Sequence, residues 1–185
     1  MRIIAGTARS LPLKTVPGDE TRPTTDRIKE TLFNIIRFDL PGCSFLDLFA
    51  GSGGIGLEAL SRGAKNCVFV EKSKKACDCI RDNITFTRFT EKSRVIHKDC
   101  LNALAAMDTD QTFDVVFMDP PYGKGLENDV LSFLADSPLI TANTLLIIET
   151  SHDTDLNSYL CDGAFTIIKE KRYKTNRHVF LRRKL

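Results

Sequence analysis

The chain lacks most of what would place it outside an ordinary globular interior. No apolar run approaches the roughly 20 residues needed to span a bilayer. The opening MRIIAGTARS has none of the long apolar segment of a secretory leader, so the expectation is a cytoplasmic protein. No low-complexity tract and no repeat is present, which excludes disordered and solenoid architectures. Six cysteines stand at 43, 67, 77, 79, 100 and 161 without a C-x-x-C pair or a histidine partner at finger spacing. They call for neither zinc nor disulfides, and the expectation is free thiols, mostly buried, with no metal. There is no Tyr-x-x-x-Lys pair of the kind used in hydride transfer, and no separate RNA-binding module such as an RRM or KH domain.

What is present fits one sizeable core: 185 residues, 42% hydrophobic and 27% charged. Net charge is only +2, but it is unevenly spread. Residues 169–185 carry eight Lys or Arg against Glu170 alone, and residues 1–40 carry seven bases and five acids, which leaves the middle acidic. Basic ends on an acidic core suit a polyanionic partner gripped at the edges. A solvated charged face would read the same way.

From residue 45 onward, short apolar runs alternate with amphipathic segments: FLDLF and GIGLEALSR, CVFVE and KKACDCIRDNITF, SRVIH and LNALAAM, FDVVFMD and ENDVLSFLAD, then TLLIIET. Repeated strand-helix units mean right-handed crossovers and a parallel sheet with helices on both faces, a doubly wound Rossmann-like α/β fold. AFTIIKEKRY and RHVFLRRKL, joined by the turn KTN, predict a last antiparallel hairpin, giving a seven-stranded, mostly parallel sheet. Residues 1–40 read as an extension on a core of residues 41–185. RIIAGTARSLPLKTV predicts a hairpin, and a helix capped by Thr24 or Thr25 should run through about Phe38, before Pro41 and Gly42.

The candidate chemistry sits at predicted strand ends. In DLFAGSGGIGLEAL, Gly51, Gly53 and Gly56 satisfy G-x-G-x-x-G between a strand and a helix, so backbone N–H groups can approach a ligand closely. Such a loop serves a dinucleotide or S-adenosylmethionine, and the glycines alone do not choose. Glu71 ends the second strand, where a carboxylate can grip both ribose hydroxyls. Asp99 ends the third, either accepting from an adenine amino group or capping the next helix. The fourth strand ends in DPPYG. Two prolines fix a rigid turn and leave carbonyls free, so Asp119 and the Pro120 carbonyl could take the two hydrogens of a flat exocyclic amine. Tyr122 offers a ring for base stacking. A dehydrogenase needs no such clamp, and the set points to in-line transfer of a methyl group to an amine.

The order RIIAG, RPTTDRIKETLFN, DLFAGSGGIGLEALSRGA, DPPYG and a basic last hairpin resembles the RsmD family, bacterial methyltransferases of guanine N2 in 16S ribosomal RNA of the small subunit. The resemblance covers nearly the whole chain. It implies S-adenosylmethionine as cofactor, with Asp47, Gly51 and Gly53 at its methionine end, Glu71 at its ribose, and Asp99 and the Cys100 backbone at its adenine. It implies that Asp119, Pro120 and Tyr122 hold the guanine, and that Arg22, Thr24 and Arg27 help close the site on RNA. The family often has Phe where this chain has Tyr122. For RNA contact the further candidates are Lys124 and the tail bases Lys171, Arg172, Lys174, Arg177, Arg182 and Arg183, not all of which can face one way along a strand. The implied substrate is an assembling small ribosomal subunit, with the target base flipped or in a loop. Competing readings are an N6-adenine DNA or protein-glutamine methyltransferase, which commonly carry Asn as the first clamp residue, and a catalytically silent RNA-binding or assembly factor.

Overall fold

The alternation of apolar runs and amphipathic segments becomes strands and helices in chain order. The computed structural model describes residues 1–16, 26–121 and 123–184, the side chain of Leu156 apart. Helix α1 (Asp26–Ile35) precedes β1 (Ser44–Leu48), α2 (Gly54–Ser61), β2 (Asn66–Glu71), α3 (Lys74–Thr87), β3 (Ser93–His97), α4 (Cys100–Ala105) and β4 (Phe113–Met118). Then come α5 (Leu126–Ala135), β5 (Ile140–Thr150), β6 (Phe165–Arg172) and β7 (Arg177–Arg183). The strands form one seven-stranded sheet in the order β3-β2-β1-β4-β5-β7-β6, parallel from β3 through β5, with β7 antiparallel to both β5 and β6. This is the expected doubly wound α/β fold with an antiparallel last hairpin.

Side chains alternate across a strand, so each strand feeds two cores. Phe45, Phe69, Val115, Phe117, Ile147 and Phe180 pack on one face with α1, α2 and α3. Leu46, Val70, Val116, Met118, Ile148 and Val179 pack on the other with α4 and α5. The six cysteines are unpaired and five of them are buried.

Helix α2 is buried over all eight residues, because the amino-terminal segment covers the side that would otherwise meet solvent. Residues 1–13 fold back on themselves through Ile3 N–H to Leu11 O (3.0 Å) and Leu13 N–H to Met1 O (3.0 Å), though regular pairing is limited to one bridge between Arg2 and Pro12. The outer amides of Ile4 and Ala5 donate to the buried Glu58 carboxylate at 2.7 and 3.0 Å. Glu58 also meets Lys29 of α1 (3.3 Å) and Arg62 (2.7 Å). Burial pulls the Lys29 ammonium below its usual value, against the Glu58 charge. Helix α1 stops at Ile35 rather than Phe38, where Asp39 N–H turns back to Ile36 O (2.9 Å). Ile36 and Leu40 are buried and Phe38 is exposed; Pro41 disfavours helical backbone at Leu40, and Gly42 is left-handed at φ +77°, so the chain leaves the helix over these residues.

Candidate active site

The sheet presents its chemistry along one edge. Leu48 is in register with Val70 on one side and Met118 on the other, Val70 with Ile96, and Met118 with Ile148. The five outgoing loops therefore leave at one level. Chain order reverses between β1 and β4, and in open α/β sheets ligands bind in the crevice at that point, beyond the carboxyl ends of the strands.

Asp47, near the end of β1, is 1% exposed, and its Oδ2 accepts the Gly56 N–H of α2 at 2.9 Å. Burial pushes its carboxyl up to about 7; the Gly56 hydrogen bond works against this and the Glu71 charge adds to it. Gly51 lies at φ +55° with its N–H on Glu71 Oε2 (2.9 Å), and a Cβ there would meet no atom within 4 Å. Its Cβ side faces open space. Gly53, left-handed at the cap of α2, would instead place a Cβ 3.4 Å from Ile80 and Phe69, so it faces the core. A Cβ on Gly56 would come within 2.3 Å of Phe69 and 2.6 Å of Cys67. That glycine lets α2 lie directly on β2.

Glu71 bridges two loops. Its Oε1 accepts Ser73 N–H (2.8 Å) while Oε2 holds Gly51. Each carboxylate oxygen has a second lone pair, which leaves capacity for two hydroxyls. Asp99 is the N-cap of α4: it accepts Asn102 N–H at 3.1 Å and is bonded to the Asn102 side chain as well. Those bonds hold its exposed carboxyl below the usual range. Cys100 opens α4 and is buried against β2, with burial and then the Asp99 charge taking its thiol to about 12.

Asp119 stands half-buried one residue beyond β4, followed by buried Pro120. Burial, then the charges of Glu149 and Asp47, hold its carboxyl well above the ordinary range. Tyr122, Arg22 and Thr24 lie outside the described residues. Two contributors were not singled out from the sequence. Buried Asn83 of α3 donates to Ser52 O and Lys14 O, both at 3.0 Å, and so ties the glycine loop to the amino-terminal segment. Glu149, one residue before the end of β5 and next after the Met118–Ile148 register pair, is 5% exposed, and its charge acts on Asp119. An edge carrying Asp47, Glu71, Asp99, Asp119 and Glu149 suits a ligand that bears positive charge and opposes a pyrophosphate.

The basic candidates sort by position. Lys124 follows the β4 turn, and Lys174 sits in the β6–β7 turn, which meets the carboxyl end of β5 where Thr150 pairs with Arg177. Both are exposed on the site edge, and Arg27 is exposed on α1. Arg177, expected on the RNA-facing rim, is corrected: it is 4% exposed, donates to Glu170 (3.1 Å) and bonds the Thr154 carbonyl. The reason is that β7 is an interior strand covered on both faces. Arg182 and Arg183 lie toward the opposite end, the first 3.9 Å from Asp39, the second donating to Ala135 O and Ser137 O.

The family model described as conserved hypothetical protein 95 matches residues 1–182. The chain is 37% identical over 172 residues to ribosomal RNA small subunit methyltransferase D of Haemophilus influenzae, covering 92% of this chain and 88% of that protein. It superposes on the Escherichia coli protein yhhF with a TM-score of 0.85 at 30% identity, covering 100% of this chain and 98% of that one. The protein SMU.776, complexed with S-adenosylhomocysteine, shares the fold alone at 13% identity and a TM-score of 0.63, over 81% of this chain and 49% of that one. With this fold and these relatives, the chain belongs to the RsmD family and has the fold of S-adenosylmethionine-dependent methyltransferases.

Proposed function

We propose that the protein transfers a methyl group from S-adenosylmethionine to the exocyclic N2 of a guanine in 16S ribosomal RNA of an assembling small subunit, in the cytoplasm. Action on ribosomal RNA rests on relatives named as small subunit methyltransferases. The observation that carries the choice of an amine acceptor is Asp119 with Pro120 at the tip of β4, across the switch point from the Gly51 loop. An amine held by Asp119 and the Pro120 carbonyl is aimed along the crevice with its lone pair free for in-line attack.

The residues fit the cofactor. Gly51 leaves open space at the loop, Glu71 has lone pairs for two ribose hydroxyls, and the acidic edge suits a sulfonium and an ammonium group. In this reading Asp47, Gly51 and Gly53 form the methionine end of the site, and Asp99 with the Cys100 backbone forms the adenine end. The cofactor supplies an electrophilic methyl group. The chain's own residues supply placement, exclusion of water and a proton acceptor. Tyr122 stacks on the base, while Lys124, Lys174, Arg27, Arg22 and Thr24 contact RNA.

The test is to incubate the protein with methyl-labelled S-adenosylmethionine and small subunits from a strain lacking this modification, then to identify the labelled nucleoside. N2-methylguanosine in 16S RNA is the expected result. Label in DNA or in protein glutamine would overturn the substrate, and no label in any acceptor would overturn the activity.

A further inference from the structure

Behind the clamp lies a buried polar chain that the methyl-transfer reading does not use. Glu149 and His178 are register partners on β5 and β7, 5% and 0% exposed. His178 Nε2 is 3.0 Å from Glu149 Oε2, and His178 Nδ1 is 3.0 Å from the Tyr173 hydroxyl. The Asn176 side-chain amide donates to the other oxygen, Glu149 Oε1. A carboxylate only accepts, so Nε2 carries the imidazole proton, and Nδ1 accepts from the Tyr173 O–H. Burial and the Glu149 charge push the Tyr173 phenol up to about 12, so it remains a donor. The imidazole is walled edge-on by Phe117, Tyr173 and Phe180. Such a chain holds Glu149 in one position and supplies both of its oxygens with donors.

That position is beside Asp119. Met118 and Ile148 are the last register partners of β4 and β5; Asp119 and Glu149 are the residues that follow them, on strands about 5 Å apart, and the Glu149 charge acts on Asp119. Two carboxylates this close, one buried and the other half-buried, do not both ionise readily. Facing the pair are Asp47 from β1, whose carboxylate accepts the Gly56 N–H, His178 from β7 and Tyr173 from the β6–β7 turn. The neighbouring cation, Arg177, is engaged by Glu170 and the Thr154 carbonyl.

We propose that Glu149 is a positioning residue acting through Asp119: Asp119 stands as a carboxylic acid sharing its proton with Glu149, and passes that proton to Glu149 as it takes up the one the methylated amine releases. The inference deepens the amine-methylation reading and rests on it. As the nitrogen bonds the methyl carbon, the carbon–sulfur bond breaks and its electron pair stays on sulfur. The nitrogen then holds one proton too many. One Asp119 oxygen accepts that proton while the other gives its own to Glu149, so the amine ends neutral and Asp119 ends as it began. Glu149 afterwards loses the proton to water.

Two measurements decide this. In protein free of cofactor and RNA, labelled with carboxyl-13C aspartate, the Asp119 resonance, identified with Asp119→Asn, is followed through a pH titration in wild type and in Glu149→Gln. The expected result is a wild-type Asp119 that keeps its proton through neutral pH, and a variant whose acid dissociation constant is tenfold or more larger. An unmoved titration, or a wild-type Asp119 already ionised at neutral pH, overturns the proposal. Second, single-turnover methyl transfer by wild type should stay constant across the pH range below the Asp119 titration, where Glu149 is the acceptor. In Glu149→Gln it should follow the Asp119 titration curve. A wild-type rate that falls in step with Asp119 protonation makes Asp119 the sole base and overturns the proposal, and this comparison needs no variant should Glu149→Gln fail to fold. Absence of guanine methylation would fail the functional reading alone, because the titration requires neither RNA nor cofactor.

Discussion

Asp47→Asn tests the electrostatics of the crevice without any ligand. The carboxyl is 1% exposed and is taken from an ordinary 3.8 to about 7, first by burial, with the Gly56 N–H opposing and Glu71 adding to the rise. In the unfolded chain it returns to the ordinary value. Below about pH 4 both states hold the proton, and the group adds no pH dependence. Between about pH 4 and about pH 7 the unfolded chain has lost the proton and the folded chain keeps it, so stability drains away as pH rises, at about 1.4 kcal/mol per unit. Roughly three units give a total of about 4 kcal/mol, constant above the folded value. Asparagine keeps a carbonyl for Gly56 and cannot ionise. Urea unfolding of both proteins at a series of pH values, compared as variant minus wild type, cancels the other titrating groups to first order. That difference should grow in favour of the variant by about 4 kcal/mol from about pH 4 to about pH 8. Asp119 feels the Asp47 charge, and its own relief in the variant moves the difference the same way. A difference flat across that range would refute the argument that burial governs Asp47.

Three further outcomes follow from the site. Glu71→Ala should weaken cofactor binding on the order of 100-fold by calorimetry, two hydrogen bonds to a charged group being worth about 3 kcal/mol, whereas Asp119→Ala should abolish methyl transfer and leave that affinity largely intact. Gly56→Ala should lower stability by about 1–3 kcal/mol in denaturant unfolding, since the new methyl meets Phe69 and Cys67 at less than contact distance. RNA affinity should fall steeply with salt; Lys124→Ala and Lys174→Ala should each reduce the slope by about one counterion, while Arg177→Ala should leave the slope unchanged and destabilise the fold instead.

The sheet was legible in the sequence because parallel strands are buried on both faces and read as short apolar runs, three of which lead into a conspicuous acid. Glu71, Asp99 and Asp119 needed only the end of a run to be recognised, since a parallel sheet brings all such ends to one edge. The end of α1 was less legible. Pro41 and Gly42 bound the helix without fixing which residue before them is its last, since IRFDL itself contains no helix breaker. The covering of α2 was also out of reach: Glu58 reads as a surface helix acid until the amides of Ile4 and Ala5 are brought to it.

Arg177 and Glu149 share one reason for going unread. Both depend on where β7 lies in the sheet. As the second half of a hairpin closing the edge, β7 would have one solvated face, and a basic residue on it would be free for RNA. The chain instead threads β7 between β5 and β6, so Arg177 and His178, on opposite faces, are both enclosed. The same placement sets Glu149 against His178, a pairing fixed by antiparallel register and not by any local spacing. A weak signal was available: TLLIIET carries an acid at its penultimate position much as FDVVFMD closes on one, and such an acid near the end of a core strand brings a second charge to the crevice beside DPPY. Without a partner that charge would cost more than the strand could bear, so an internal donor such as His178 was required before the register was known.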